Sequence, residues 1–356
     1  MFRNYLITGA TGFLGRAVIA ELMKTGAQIH ALVLNGDPLK KELPGSVYIE
    51  YGDVCDIHSL KAFFEQADHN SCVIHCTGII SIETHPDPKI YAVNVNGTKN
   101  VLRCCEQKKV GKFIYVSSVH ALPQKRQHEE ITEKALFSPE LVKGDYSKSK
   151  TIATASVFSA ARHGLNACVV FPSGLIGPGD NGKGSTSSML LSFLAGRLPF
   201  AVKGGYDFVD VRDVAKGIVS CTVAGIPGRG YILSGHYASI RDILTIAQQT
   251  NLRKHRVIYL PHLLAKIIAP LYELWSKATK SPVLFSSYAI KVLNSNCNFD
   301  KSSSRALNYF SRPLEQTIRD EVTWLKAMNP RIFQGNDADN EFNAEMYIAS
   351  KKDKRR

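Results

Sequence analysis

The stretch Thr8-Gly9-Ala10-Thr11-Gly12-Phe13-Leu14-Gly15 decides the fold. It follows the apolar run Tyr5-Leu6-Ile7 and opens a segment, Gly12–Thr25, whose apolar residues recur at helical spacing. Strand, glycine turn and helix in that order make a phosphate cradle. Gly9 takes the tight turn, Gly12 lets backbone N–H groups approach a pyrophosphate, and Gly15 lets helix and strand pack closely. The helix N-terminus then faces the negative charge. Thr11, Phe13 and Leu14 complete this candidate dinucleotide-binding turn. The spacing is GxxGxxG, whereas the common dehydrogenase fingerprint is GxGxxG.

Outward from this turn, strand and helix signals alternate. Arg3–Thr8, Ile29–Leu34, Val47–Tyr51, Cys72–Cys76, Lys112–Val116 and Ala167–Phe171 read as strands. Helices are predicted over Gly12–Thr25, Ile57–Gln66, Pro88–Gln107 and Tyr146–His163. This alternation implies an α/β fold, a doubly wound parallel sheet covered on both faces. Residues 1–171, completed by parts of 206–235, form the expected dinucleotide domain. Residues 172–330 form a smaller, mostly helical substrate lobe, opening with the Gly/Pro/Ser-rich loop Pro172–Ser188. Helices are predicted there near Met189–Ala195, Val211–Val223, Ile240–Gln249, Pro261–Lys277 and Leu314–Met328. Residues 331–356 read as a mobile polar tail.

Among the 356 residues, 44 Lys and Arg stand against 31 Asp and Glu, a formal +13. The excess is local. Residues 1–170 sum to +3 and 331–356 to +1, but 171–330 carry +9. Basic residues are not interleaved with aromatics, and no DNA-reading motif appears, so nucleic acid is not an expected partner. The eight cysteines form no CxxC pair and no zinc pattern, so free thiols in a reducing compartment, and no metal, are expected. A strand-like run beginning at Tyr5 leads to the expectation of no signal peptide and a cytoplasmic location.

The end of the second strand usually decides the ribose contact: an acid there binds the 2′-hydroxyl, an Arg nearby accepts a 2′-phosphate. Here the run is Leu34-Asn35-Gly36-Asp37, followed by Lys40 and Lys41. Asn35 suits either, so NAD and NADP both stand. Asp53 and Val54 follow the third strand, where Asp53 reads either as an acceptor for the adenine amino group or as a solvated cap.

Tyr146-Ser147-Lys148-Ser149-Lys150 sets Tyr146 and Lys150 four apart, on one face of a helix. A lysine ammonium beside a phenol favours the phenolate, so Tyr146 can work as acid or base near neutral pH. Tyr115-Val116-Ser117-Ser118 ends a parallel strand at the carboxyl edge, where doubly wound sheets bind ligands. Ser118 is placed there to hydrogen-bond a reacting oxygen. His75 and His120 lack metal-ligand spacing and read as packed side chains, His120 close enough to Ser118 to face substrate.

These motifs resemble the short-chain dehydrogenase/reductase superfamily, in its extended NAD-dependent epimerase/dehydratase branch with dihydroflavonol reductases and 3β-hydroxysteroid dehydrogenases. The resemblance spans about residues 3–328. It also rests on Asn94-Val95-Asn96-Gly97-Thr98, Pro172 through Pro178, Phe208 through Ala215, and Arg312-Pro313-Leu314-Glu315. It implies a Rossmann domain, NAD or NADP as cofactor, Tyr146 as acid/base and Lys150 on the nicotinamide ribose. It further implies Ser118 on the substrate oxygen and Asn94 supporting proton relay, unless Asn94 is simply a polar helix residue. Thr77, Gly78, Pro172 and Ser173 would line the cofactor, and a homodimer through the helices near 88–107 and 146–163 is suggested.

One departure matters. Sugar-nucleotide members commonly carry Arg-Asp-Phe where this chain has Tyr206-Asp207-Phe208. Without that Arg the bidentate diphosphate grip is missing, which favours a small lipophilic or aromatic carbonyl or alcohol, with Tyr206 lining it. The expected activity is therefore a carbonyl reductase or alcohol dehydrogenase. A sugar-nucleotide epimerase or dehydratase with tightly held NAD is the second expectation, and a non-catalytic NAD(P) sensor the third.

Leu263, Leu264, Ile267, Ile268, Leu271, Leu274 and Trp275 make an apolar stripe at helical spacing. Around it, residues 253–305 hold nine basic residues and two acids, Glu273 and Asp300. A core-facing stripe with a solvated basic rim is favoured over peripheral contact with an anionic membrane.

Overall fold

The computed structural model describes residues 2–80, 87–180, 184–250, 255–269, 287–330 and 332. The chain divides into two compact units: Met1–Leu175, Asp207–Tyr237 and Ser295–Leu314 form the first, and Ile176–Tyr206, Ala238–Asn294 and Glu315–Arg356 the second.

The first unit is built on strands β1 (Asn4–Thr8), β2 (Gln28–Val33), β3 (Tyr48–Tyr51), β4 (Ser71–His75), β5 (Lys112–Val116) and β6 (Ala167–Pro172). Short strands β7 (Gly174–Ile176), β8 (Phe200–Val202) and β9 (Gly205–Asp210) come next, then β10 (Gly230–Leu233), β11 (His236–Ser239) and β12 (Ile258–Leu260). β7, β9 and β11 each carry the chain from one unit to the other. β10 joins the first six in a seven-stranded sheet of order β10-β6-β5-β4-β1-β2-β3. Every pairing in it is parallel. β1, β4, β5 and β6 are buried along their whole length, because helices cover both faces. The expected doubly wound Rossmann sheet is present, and 207–237 returns to complete it.

The helices are α1 (Phe13–Met23), α2 (Pro88–Tyr91), α3 (Thr98–Lys108), α4 (Asp145–Arg162), α5 (Ser185–Leu194), α6 (Val211–Ala224) and α7 (Ile240–Thr250). They continue with α8 (262–269), α9 (Ser287–Val292), α10 (Ser302–Arg305) and α11 (Leu314–Met328). α1 packs against α6 over a core that includes Ile7, Val18, Ile114, Val170 and Ile218.

Three expected elements differ in extent from what is found. Pro88–Gln107 is not one helix: Ala92–Gly97 widens into a π-helical stretch between α2 and α3. Near Ile57–Gln66 only Ile57–Leu60 is helical, a 3-10 turn capped by Asp56. The loop Pro172–Ser188 contains β7, and α5 begins at Ser185 because Gly184 starts the turn against the Asp180 carboxylate at 2.9 Å.

Two of the sequence's later motifs prove to be one structural knot. Arg312 grips Asp213 with two side-chain nitrogens, at 2.7 and 3.0 Å, and its backbone N–H donates to the same carboxylate at 2.8 Å. Arg212 grips Asp210 the same way, at 2.6 and 2.9 Å. The segment before α11 is thereby tied to the start of α6.

In the second unit, α8 reverses the expected orientation of the apolar stripe. Ala265 and Ala269 face the small core with Val202 and Ile290, while Leu263, Leu264, Ile267 and Ile268 are exposed. Alanines permit a close approach that leucines would block. Leu271, Leu274 and Trp275, and the tail beyond 332, lie outside the described residues.

Candidate active site

β1 has β2 on one side and β4 on the other, so the strand order reverses there and a crevice opens beyond their carboxyl ends. The glycine turn lies at this point. Gly9 adopts φ +66°, and a Cβ on it would meet the Thr77 nitrogen after β4 at 2.7 Å. A Cβ on Gly15 would sit 2.1 Å from the Gly9 carbonyl oxygen, so helix and turn touch only because residue 15 is glycine. At Gly12 the one near atom is the Gly9 oxygen at 3.2 Å, so that side of the turn is open. Gly12 caps α1 without a side-chain bond, leaving the first-turn N–H groups for a ligand. This open cradle at a helix N-terminus fits a dinucleotide pyrophosphate. Within α1, Leu14 is buried and Phe13 half-buried.

Beyond β2, Asn35 is exposed, but Asp37 is drawn in: its Oδ2 accepts from the Thr11 hydroxyl at 2.7 Å. Its Oδ1 caps the following turn through Leu39 N–H at 2.9 Å. Lys40 is engaged elsewhere, donating to the Tyr51 hydroxyl at 3.1 Å. Asp53 is an exposed turn residue whose Oδ1 accepts from Cys55 N–H at 2.9 Å. Val54 is buried, and its carbonyl accepts from Asn100 at 2.9 Å.

Ser118, Tyr146, Lys150 and Asn94 come together at the same edge of the sheet. Lys150 is buried on α4 and donates to the Val116 carbonyl, at the end of β5, at 2.9 Å. Its ammonium also stands 5.0 Å from the centre of the Tyr115 ring, a cation–π distance. Burial pulls the Lys150 pKa down from 10.5 to about 8, with Cys76 acting weakly the other way. Tyr146 is buried one turn earlier, and its ring meets His120 edge-on at 5.9 Å. The His120 backbone N–H donates to Ser118 Oγ at 3.2 Å, so His120 links Ser118 to Tyr146. Burial lowers the His120 pKa from 6.5 to about 4, so its ring is neutral at physiological pH.

Asn94 is fully buried and works as a clamp. Its Oδ1 accepts from Ile79 N–H at 2.8 Å, and its Nδ2 donates to Ile79 O and to Ser149 Oγ, both at 3.0 Å. Ser149 in turn donates to the Tyr146 carbonyl at 2.8 Å. A Cβ on Gly78 would fall 3.0 Å from Lys150 Nζ and 3.4 Å from Asn94 Oδ1, so the loop after β4 runs directly over the lysine. The π-helical turn that carries Asn94 is of a kind found often at functional sites.

His75, fully buried, anchors that turn. Thr98 donates its hydroxyl proton to the Asn94 carbonyl at 2.7 Å. The Thr98 oxygen therefore receives the proton on His75 Nε2, 3.0 Å away, and Nδ1 accepts from Thr8 at 2.6 Å. Burial and the Lys150 charge hold the His75 pKa down near 3, keeping the ring neutral. His75 is a packed residue, as expected, but one that joins the end of β1 to the Asn94 turn.

Pro172 and Ser173 are buried at the end of β6 in the same unit, and Tyr206 is buried on β9 in the second unit. Asp37, Thr98 and Ser149 hold the site together without a role that the sequence alone assigns them. Asp37 lay two positions beyond the residue chosen, and Ser149 lies three after Tyr146, on its face of the helix. No group of three or more His, Cys, Asp or Glu side chains suited to a metal occurs among the described residues.

A parallel sheet with an open glycine cradle at its reversal point, beside a Ser/Tyr/Lys edge, defines a nicotinamide-dinucleotide enzyme. Residues 5–231 match the NAD dependent epimerase/dehydratase family, and the chain belongs to it. It is 26% identical over 327 residues to "Sterol demethylase protein B" of Methylococcus capsulatus, covering 90% of this chain and 98% of that one. It is 28% identical over 338 residues to a "Putative dihydroflavonol 4-reductase" of Synechocystis, covering 90% and 94%. The solved structure of gox2253 is similar over 91% of this chain and 98% of its own, at TM-score 0.78 and 26% identity.

Proposed function

We propose that this protein interconverts a carbonyl and an alcohol on a lipophilic or aromatic substrate, with Tyr146 as the acid/base. The observation that carries it is the meeting of Ser118, Tyr146 and Lys150 at the sheet edge that bears the glycine cradle. Gly9, Gly12 and Gly15 with the first turn of α1 would hold the pyrophosphate, and Lys150 the nicotinamide ribose. A nicotinamide held there would supply hydride in reduction and accept it in oxidation. Ser118 Oγ hydrogen-bonds the substrate oxygen and orients it. Tyr146 hands that oxygen a proton in reduction and removes it in oxidation. The Lys150 ammonium stabilises the phenolate, and its bond to Val116 O fixes where the charge sits. Asn94 holds Ile79 and, through Ser149, the start of α4, so that Tyr146 is presented in one orientation. His120 packs against the tyrosine as a neutral ring.

Asp37 supports NAD over NADP. A carboxylate already hydrogen-bonded to the cradle's Thr11 accepts from a ribose 2′-hydroxyl and repels a 2′-phosphate. The names of the relatives, a sterol demethylase protein and a dihydroflavonol reductase, agree with a hydrophobic substrate. So does Tyr206 in place of a diphosphate-gripping Arg. The eight free cysteines suit the reducing cytoplasm.

The test is to incubate the protein with NADH and NADPH against aromatic, steroid-like and sugar-nucleotide carbonyls. Turnover of the first two classes with added cofactor supports the proposal. Protein that carries stoichiometric NAD and epimerises a nucleotide sugar with none added would replace it with the epimerase reading.

A further inference from the structure

α8 is amphipathic in an inverted sense. Its inward side is Ala265 and Ala269, packed with Val202 and Ile290. Its large side chains, Leu263, Leu264, Ile267 and Ile268, are 41–74% exposed. At about 100° per residue these four share an uncharged arc of about 140°. The same unit also exposes apolar side chains on the parallel pair β8 and β12. Phe200 and Ile258 are register partners, 44% and 59% exposed. Large apolar side chains gathered on one unit's surface mark a recognition surface.

Charge says what covers it. From Ile243 to Phe299 the chain has a single acid, Glu273. The stretches that carry the patch, 196–206 and 255–269, hold Arg197, Lys203, Arg256 and Lys266 and no carboxylate. A second copy of the chain would set like charge against like. An anionic bilayer takes both features, with acyl chains for the leucines and isoleucines and headgroups for the cations. No helix among the described residues is long and apolar enough to cross a membrane. We infer that this face of the second unit docks on an anionic phospholipid surface, with Leu263 and Ile267 entering the headgroup–acyl boundary.

The test is co-sedimentation of the full chain with phosphatidylcholine vesicles, with and without phosphatidylserine. Wild-type protein is expected to bind the phosphatidylserine vesicles at least about tenfold more strongly, and to release in high salt. The Leu263→Ser/Ile267→Ser variant, altered only at exposed positions, is expected to lose that binding while keeping its unfolding midpoint. Val223→Ser, at an exposed apolar site on α6, is expected to bind as wild type does. Wild-type protein left in the supernatant would overturn the inference. So would undiminished binding by the double variant, which would place the contact elsewhere, for instance in the Lys351–Arg356 run. A wild-type dimer in solution that the double variant abolishes would assign the face to self-association instead.

Discussion

Lys150, in the second turn of α4, donates to the backbone carbonyl of Val116, the last residue of β5, at 2.9 Å. That one bond fixes a buried cation between the helix that bears Tyr146 and the strand that leads to Ser118. Burial disfavours its charge and brings its pKa to about 8. The folded value lies below the unfolded one, so between about pH 8 and about pH 10.4 the unfolded chain binds more protons. Stability contributed by Lys150 is therefore gained as pH rises through that window and lost as pH falls through the folded pKa. In the cofactor-free protein, the urea midpoint of wild type relative to Lys150→Met is expected to rise from pH 8 to pH 10. A difference that stays flat would show that Lys150 titrates as an ordinary surface lysine.

Asn94, proposed to hold Tyr146 in one orientation, makes three hydrogen bonds, two with the Ile79 backbone and one with Ser149. Asn94→Ala is expected to lower kcat by about 100-fold, at about 1 kcal/mol for each of three lost bonds. Ser149→Ala removes one of the three and is expected to have a smaller effect. KM for substrate should move less than kcat in both. Equal losses of kcat and thermal stability, with kcat restored by cooling, would reduce Asn94 to a packing role.

Asp37, whose carboxylate accepts from the cradle's Thr11, is the residue proposed to favour NAD. Asp37→Ala is expected to raise kcat/KM with NADPH relative to NADH by about tenfold or more. An unchanged ratio would move the specificity contact to another residue.

Arg312 ties the segment before α11 to α6 through Asp213 and touches Asp210 at 3.5 Å. Arg312→Ala is expected to cost about 3 kcal/mol in denaturant unfolding, because it strands the buried Asp213 carboxylate and removes one of two cations beside Asp210. Burial alone would raise the Asp210 pKa, but the Arg212 hydrogen bonds and the Arg212 and Arg312 charges hold it below the usual carboxylate range. Its contribution is present above about pH 3.9 and is lost as pH falls through the lower folded value. The variant should therefore lose less stability than wild type on acidification. An equal acid profile would mean the pair adds no native-state charge coupling.

Much of this arrangement was legible in the sequence because local chemistry dictated it. Glycines 9, 12 and 15 announced the cradle, apolar runs announced the six central strands, and the four-residue spacing put Tyr146 and Lys150 on one face. What escaped the sequence depends on contacts between distant segments. The π-helical turn at Asn94 has no periodic signature, since its stabilising partners, His75, Thr98 and Ile79, come from β4, α3 and a loop. Asp37 was passed over because its bond to Thr11 joins two turns that meet only when β1 and β2 pair. The stripe on α8 misled because periodicity marks an apolar face without saying whether a core lies beneath it. There the core accepted alanines and left the leucines outside.

Tyr146 is the group proposed to move the proton. The measurement is turnover and nicotinamide binding in Tyr146→Phe, which keeps the ring and its packing against His120 while removing the hydroxyl. Cofactor affinity within about twofold of wild type, with turnover reduced by at least about a hundredfold, is the predicted result. Wild-type turnover in that variant would contradict the account.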